Sequence, residues 1–169
     1  PEMVQCLMAG GLSAMVQAVE GAEDSRTMAV EDLKRINLTN KDIVIGIAAS
    51  GRTPYVLGGV EYARSIGAKT ASISTSQNTI LSSMVDCPIE AVTGAEPITG
   101  STRMKSGTAQ KMICNIISTS AMVKMGKVYG NLMIDVQATN EKLVARAVSI
   151  LKEITGLDDN DAKKAYDKY

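Results

Sequence analysis

The chain has 169 residues, of which 45% are hydrophobic and 21% are charged, and its 18 basic residues balance its 18 acidic ones. This composition is typical of a soluble globular protein, and the even charge gives no field that would attract nucleic acid or a membrane surface. The absence of histidine excludes Ser-His-Asp and Cys-His catalysis and histidine metal sites within this chain. Aromatic residues amount to 3%, so base stacking is not expected either.

Three cysteines, Cys6, Cys87 and Cys114, stand far apart and form no CxxC pair. This usage indicates a reducing, cytoplasmic setting, and we expect the three side chains to be buried as small hydrophobes. The ten methionines lie among other apolar residues and are predicted to fill the core. No apolar run reaches the ~20 residues of a membrane span. The chain starts with Pro1 rather than Met, so we expect a piece of a longer protein.

Taken in chain order, the hydrophobic periodicity predicts strands and helices in alternation. The predicted strands cover 3–9, 43–48, 70–74 and 88–92. The predicted helices cover 12–19 (or a turn), 26–36, 54–66 with Pro54 in the first turn, 79–85, 103–125 and 139–154, with a polar helix after 156. Ser25 is the expected N-cap of the second helix, and Thr139 or Asn140 that of the helix over 139–154. This order predicts an open parallel α/β sheet, in which ligands bind at the carboxyl ends of the strands.

The helix predicted over 103–125 is long and carries small residues around much of its circumference. Such a helix is expected to be buried on more than one side. The sequence leaves two alternatives open, burial inside the fold and burial against a partner subunit.

The strongest local signal follows the strand predicted over 43–48, where the sequence reads Ala49-Ser50-Gly51-Arg52-Thr53. A helix begins next, and the N–H groups and positive dipole at a helix start favour an anion such as phosphate. Gly51 would let a ligand approach the backbone, and the hydroxyls of Ser50 and Thr53 could donate hydrogen bonds to it. The motif is neither GxxxxGK[ST] nor GxGxxG, so nucleotide binding is not indicated. An ordinary turn and helix cap explains the same residues equally well.

Two further segments carry candidate groups. "VEGAEDSR" places Glu20, Glu23 and Asp24 before a helix, where a carboxylate could act as a general base but more simply stabilises the helix dipole. "TGAEPITGSTRMKSGTAQK" (93–111) is rich in hydroxyl residues and glycine, which suits either a ligand-contacting rim or a capping loop.

Several segments together resemble one family. "EGAEDSR", "GIAASGRTPYV", "EYARSIGAKT", "GAEPITGSTRMKSGTAQK", "GKVYGNLMIDVQATNEKL" and "ITGLDDNDAKKA" are similar, in this order, to bacterial N-acetylmuramic acid 6-phosphate etherases. The glucokinase regulatory protein is a more distant relative. The resemblance implies an SIS-type, flavodoxin-like α/β fold, with a partial SIS domain over 1–154 and the start of a helical segment over 155–169. It also implies a cytoplasmic homodimer that needs no cofactor or metal and binds neither nucleic acid nor membrane.

The implied reaction cleaves the lactyl ether of N-acetylmuramic acid 6-phosphate by elimination and then hydration. The family motif places the catalytic base on Glu23. Phosphate binding falls on Ser50, Gly51 and Thr53. Ser101, Thr102 and Lys105 are further candidates for the sugar or the phosphate.

The resemblance also marks a departure. The family's second functional glutamate, and the first strand of its sheet, lie in a segment upstream of the strand that opens this chain. We therefore expect the longer parent protein to be the enzyme and the 169 residues alone to be inactive. A regulatory SIS module that only binds sugar phosphate, and a sugar-phosphate isomerase with a glutamate base, remain as alternatives.

Overall fold

The computed structural model describes residues 3–168 and shows an α/β chain in two compact units, divided after Cys114. Two 3₁₀ helices, Leu12–Met15 and Ala22–Asp24, precede the longer elements. The helices are α1 (Arg26–Arg35), α2 (Pro54–Ser65), α3 (Ile80–Ser83), α4 (Met104–Lys124), α5 (Glu141–Thr155) and α6 (Asp159–Lys168). The strands are β1 (Ile43–Ile47), β2 (Lys69–Ser74), β3 (Cys87–Glu90), β4 (Val128–Tyr129) and β5 (Leu132–Met133).

The first unit is built on a parallel sheet in the order β1–β2–β3, with Ile43 opposite Lys69 and Ala71 opposite Cys87. Helix α2 connects β1 to β2, and α3 connects β2 to β3, so the carboxyl ends of all three strands lie at one edge. The predicted parallel α/β fold is thereby confirmed. The predicted cap is also confirmed, since the Ser25 hydroxyl accepts a hydrogen bond from the Met28 N–H at 3.2 Å.

The core of this unit lies where α2 and α3 meet β1. Val60 and Leu81 are fully buried, and Leu57 and Ala48 complete the cluster. Gly46 of β1 makes this contact possible, because a Cβ at that position would lie 2.9 Å from side-chain atoms of Val56 and Val60. On β1 itself the alternate residues, Ile43, Ile45 and Ile47, remain exposed.

The second unit contains a hairpin and two helices. Val128 pairs with Met133 and Tyr129 with Leu132, so β4 and β5 are antiparallel. This hairpin was not predicted, although its two-residue loop, Gly130-Asn131, is a recognised hairpin signal. Gly130 has φ +60°, a conformation that favours glycine. Asn140 is the N-cap of helix α5, as predicted, and its side chain accepts from the Leu143 N–H. The helix ends before Gly156, which lies in the left-handed region.

Two predicted features are wrong. Residues 3–9 form no strand, since the structure gives this segment no neighbouring strand with which to pair. The three cysteines are exposed, and so are eight of the ten methionines, while Met28 and Met84 are partly buried. The reason is the same in both cases: an apolar pattern indicates which residues suit burial but not which surface covers them.

The burial of helix α4 agrees with only one of the two alternatives that the sequence left open. Ser106 is the buried residue that the structure gives for this helix, while Met112 and Ile116 are 55% and 60% exposed. Burial inside the fold is therefore wrong for this chain. Burial against a partner subunit stays a prediction.

Candidate functional site at the carboxyl edge of the sheet

The turn after β1 leads directly into α2. Ser50 is exposed, Gly51 is buried and has φ +63°, and Thr53 is half-buried. The Gly51 N–H donates to the Ala48 carbonyl at 3.0 Å, which closes a tight turn. Thr53 is the N-cap residue of α2, yet its hydroxyl makes no capping hydrogen bond. The start of α2 is thus left without a side-chain cap from Thr53, as an anion site at this position would require.

The loop after β2 supports this turn through Thr75. The Thr75 N–H donates to the Ala49 carbonyl at 2.9 Å, and its hydroxyl reaches the same carbonyl at 3.2 Å. The Thr75 hydroxyl also lies 2.8 Å from the Ser106 hydroxyl, in a buried pair. Because Ser106 belongs to the first turn of α4, this pair connects the start of α4 to the end of β1.

A second contact to the turn comes from Thr79, the N-cap of α3. A Cβ on Gly51 would lie 2.4 Å from the Thr79 Cβ, so only glycine permits this approach. The Leu81 N–H donates to the Gly51 carbonyl at 3.1 Å. The Thr79 hydroxyl accepts from the Ser82 N–H at 3.0 Å and thereby caps α3.

Glu90, the last residue of β3, is bound to the same loop. Its carboxylate oxygens accept from the Asn78 N–H at 3.0 Å and the Thr79 N–H at 3.1 Å. The pKa of the Glu90 carboxyl is lowered from its ordinary value by the Ser82 hydroxyl and by these two N–H groups. Glu90 is therefore held as an anion that binds protein amides.

Glu96 binds two backbone N–H groups at the start of α4, as Glu90 does before α3. It accepts from the Lys105 N–H at 3.1 Å and the Ser106 N–H at 3.0 Å, and these two donors lower the pKa of its carboxyl. The Lys105 ammonium donates to the Ala95 carbonyl at 2.7 Å. The N–H groups that an anion could use at this helix start are thus already bound to a carboxylate of the protein itself.

The remaining candidates lie around these groups. Ser101 is half-buried and its hydroxyl accepts from the Arg103 Nε at 2.6 Å, while Thr102 is exposed. Glu23 is exposed in the second 3₁₀ helix, which packs against α2. Within residues 3–168, no hydrogen bond joins the Glu23 carboxylate to another candidate. Hydrogen bonds therefore link the turn at Ser50 to the start of α4. In the described part of the chain, Glu23 is joined to neither of them by a hydrogen bond.

Glu96 lies within the segment 93–111 that the sequence pattern singled out, and Glu90 was not among the predicted candidates. Each of these residues binds amides nine to twelve residues away, whereas the known capping box has a spacing of three. A local motif could not have identified them.

Two other classes of site find no support in the part of the chain that the structure describes. Across residues 3–168, no three His, Cys, Asp or Glu side chains converge as a metal site would require. Among the helices of the same range, none combines the length and the apolar character that a membrane crossing demands.

Comparison with known proteins relates the chain to one group. Residues 2–64 match the family model of the glucokinase regulatory protein N-terminal SIS domain, and residues 130–168 match that of the C-terminal lid domain of the same protein. An N-acetylmuramic acid 6-phosphate etherase from Exiguobacterium is 59% identical over 94% of this chain and 54% of its own length. Etherases of the same name from Bacillus cereus and Bacillus anthracis are 58% identical over 99% of this chain and 57% of theirs.

These matches confirm the resemblance drawn from the sequence and the SIS-type α/β fold. The chain spans little more than half the length of the curated relatives that it matches. The predicted division into 1–154 and 155–169, and the roles of the individual site residues, stay predictions.

Proposed function

We propose that this chain is part of an enzyme, a carbon–oxygen lyase that converts N-acetylmuramic acid 6-phosphate to N-acetylglucosamine 6-phosphate and D-lactate. The observation that carries the proposal is the 58–59% identity, over 94–99% of the chain, to proteins named for this activity. A sugar-phosphate binder without activity is not favoured, because the curated relatives at this identity are named as etherases.

The proposed chemistry has two steps. In the first, the Glu23 carboxylate removes the proton at C2, beside the aldehyde of the open-chain sugar, while the C3–oxygen bond breaks. Lactate leaves with the bonding electrons, and its oxygen takes a proton from the second glutamate of the reaction, which acts as the acid. In the second, water adds across the resulting double bond, its hydroxyl to C3 and a proton to C2. A carboxylate suits the first step since it can accept a proton within hydrogen-bond reach of an acidic C–H.

Ser50, Gly51 and Thr53 are the proposed phosphate-binding residues. The support comes from a comparison of two helix starts as anion sites. Thr53 does not cap the start of α2 with its side chain, whereas the N–H groups at the start of α4 are already bound by Glu96. Hydrogen bonds from Thr75 and Leu81 also fix the backbone of this turn, and a preorganised anion site needs such a rigid backbone. Ser101, Thr102 and Lys105 are proposed to bind the sugar hydroxyls or the phosphate.

The second glutamate of the reaction is proposed to come from a part of the whole protein outside these 169 residues, so this chain alone is expected to release no lactate. A homodimer is proposed because α4 exposes apolar side chains such as Met112 and Ile116 that a second subunit would cover. The exposed free thiols of Cys6, Cys87 and Cys114 support a reducing, cytoplasmic location.

The test uses the full-length protein and N-acetylmuramic acid 6-phosphate, with release of D-lactate as the measurement. Glu23→Gln removes the base but keeps the shape, so we expect turnover to fall by about 10²–10⁴-fold while binding of the sugar phosphate changes little. Glu31→Gln is the matched control, because Glu31 is an exposed glutamate of α1. Normal turnover of the Glu23 variant would show that the base lies elsewhere. A folded wild-type protein that binds sugar phosphate and releases no lactate would contradict the etherase function.

A further inference from the structure

The turn at Ser50 is held from two sides by chains of contacts that each end on a glutamate. On one side, Glu90 accepts from the Thr79 N–H, and the Thr79 side chain lies against Gly51. On the other side, Glu96 accepts from the Ser106 N–H, and the Ser106 hydroxyl pairs with Thr75, which donates to Ala49. Both chains of contacts therefore reach the backbone that immediately flanks Ser50.

The first side constrains the turn by shape. Asn78 has φ +52°, an uncommon conformation for a residue other than glycine. The Asn78 N–H is bound by Glu90, which helps to hold this conformation. The Thr79 side chain is then fixed against Gly51, and it closes the space behind the turn.

The second side constrains the turn by hydrogen bonds. Thr75 and Ser106 are 6% and 2% exposed, so their hydroxyl pair is shielded from water. The Ala49 carbonyl accepts both from the Thr75 N–H and from its hydroxyl, which fixes the peptide just before Ser50. Glu96 orients Ser106 by binding its N–H, and it completes this path.

We propose that Glu90 and Glu96 are positioning residues that hold the turn around Ser50 in the geometry that receives an anionic group of the ligand. Neither carboxylate is offered to the ligand, because both oxygens of each already accept protein N–H groups. The assignment of the turn as the phosphate site rests on the proposed function. The support of the turn by the two glutamates rests on the hydrogen bonds and the close Thr79–Gly51 contact.

The chemistry of the two side chains makes the proposal testable. Each carboxylate presents two oxygens to two N–H donors, an arrangement that glutamine cannot reproduce, since its amide has one oxygen and one NH₂ group. Glu90→Gln and Glu96→Gln therefore keep the volume but place a donor opposite a donor. The bonds involved are charge-assisted, so their loss is expected to loosen the loop measurably.

The experiment compares full-length wild-type protein with Glu90→Gln, Glu96→Gln and the control Glu31→Gln. Binding of inorganic phosphate and of N-acetylglucosamine 6-phosphate is measured by calorimetry, and lactate release gives kcat and KM. We expect both dissociation constants and KM to rise about tenfold in the two variants, with kcat changed less than about threefold. Glu31→Gln should bind as wild type does.

Ser106→Ala serves as a milder variant, because it leaves both glutamates in place and removes only the hydroxyl that pairs with Thr75. We expect a rise of about threefold in the phosphate dissociation constant. A purely structural role would lower the melting temperature without changing phosphate affinity in the folded protein. Folded variants with wild-type dissociation constants would thus overturn the proposal, and Ser106→Ala and Glu96→Gln decide it if Glu90→Gln does not fold.

The same data separate this proposal from the proposed function. If wild-type protein binds phosphate but releases no lactate, the etherase reaction is contradicted, and the binding constants of the variants still decide the positioning role. If wild-type protein binds neither phosphate nor the sugar phosphate, both proposals fall.

Discussion

The two compact units of the chain bury their side chains to very different extents. In the unit up to Cys114, Val60, Ile73 and Leu81 are completely inaccessible. In the described residues from Asn115 to 168, Ala162 is the residue that reaches full burial. Since burial of apolar side chains supplies most of the stabilisation of a fold, the two units are expected to differ in what holds them together.

The second unit nevertheless contains well-defined helices. Its helix α5 has a capping side chain at Asn140 and a left-handed Gly156 at its end. An ion pair between Lys152 and Asp159 at 2.5 Å links α5 to α6, but such exposed pairs contribute little. The comparison shows that local signals are sufficient to define where a helix begins and ends. They do not supply a core.

Leu81→Ala tests the difference most severely. Leu81 is fully buried between α2 and the sheet, so its truncation leaves a cavity, and we expect a loss of about 3 kcal/mol in the free energy of unfolding. Urea denaturation of the chain, with hydrogen exchange to locate the change, provides the measurement. Loss of protection should concentrate in the first unit.

Leu151→Ala in α5 is the matched control, because Leu151 is only partly buried. The same truncation there is expected to cost about 1 kcal/mol. Equal losses at the two positions would mean that the second unit has a core comparable to that of the first.

Asn140→Ala addresses the local signals of the second unit. Removing the side chain that accepts from the Leu143 N–H leaves that donor without its cap, at a cost of about 1 kcal/mol. Faster hydrogen exchange in the first turn of α5 would report the loss. Asn160→Ala, an exposed asparagine within α6, is the control and should leave exchange in α5 unchanged. Unchanged exchange in the Asn140 variant would show that packing, not the cap, fixes the start of α5.

The same division explains what could be predicted from the sequence. The caps at Ser25 and Asn140 and the order of helices and strands from α1 to α4 are local features, and these were predicted. The strand expected over 3–9 and the burial of the methionines depended on partners that a local pattern does not specify. In the site, the turn at Ser50 was recognised from its own residues. The hydrogen bonds of Glu90 and Glu96 that support this turn were not predicted, because they join residues nine or more positions apart.

The smallest expected effect concerns Asp86, the residue before β3, whose side chain binds Thr70 near the start of β2. Its carboxylate accepts from the Thr70 N–H at 2.8 Å and from the Thr70 hydroxyl at 3.0 Å, and these bonds lower the pKa of Asp86 below its ordinary 3.8. A lowered folded-state pKa stabilises the fold above the unfolded-state pKa, and this contribution disappears as the pH falls through the folded-state pKa. Asp86 is exposed, so solvent screens the effect and keeps it modest.

Asp86→Asn should therefore be less stable than wild type at neutral pH, and the gap should narrow when urea denaturation is repeated at about pH 3. Glu153→Gln in α5 is the control from the second unit, since its exposed carboxylate has no hydrogen-bond partner among residues 3–168. A gap that stays constant with pH would mean that the Asp86 carboxylate contributes through its shape alone. A gap that closes on acidification, in this variant and not in the control, would show that the first unit owes part of its stability to charge-assisted bonds at its strand ends, in addition to its core.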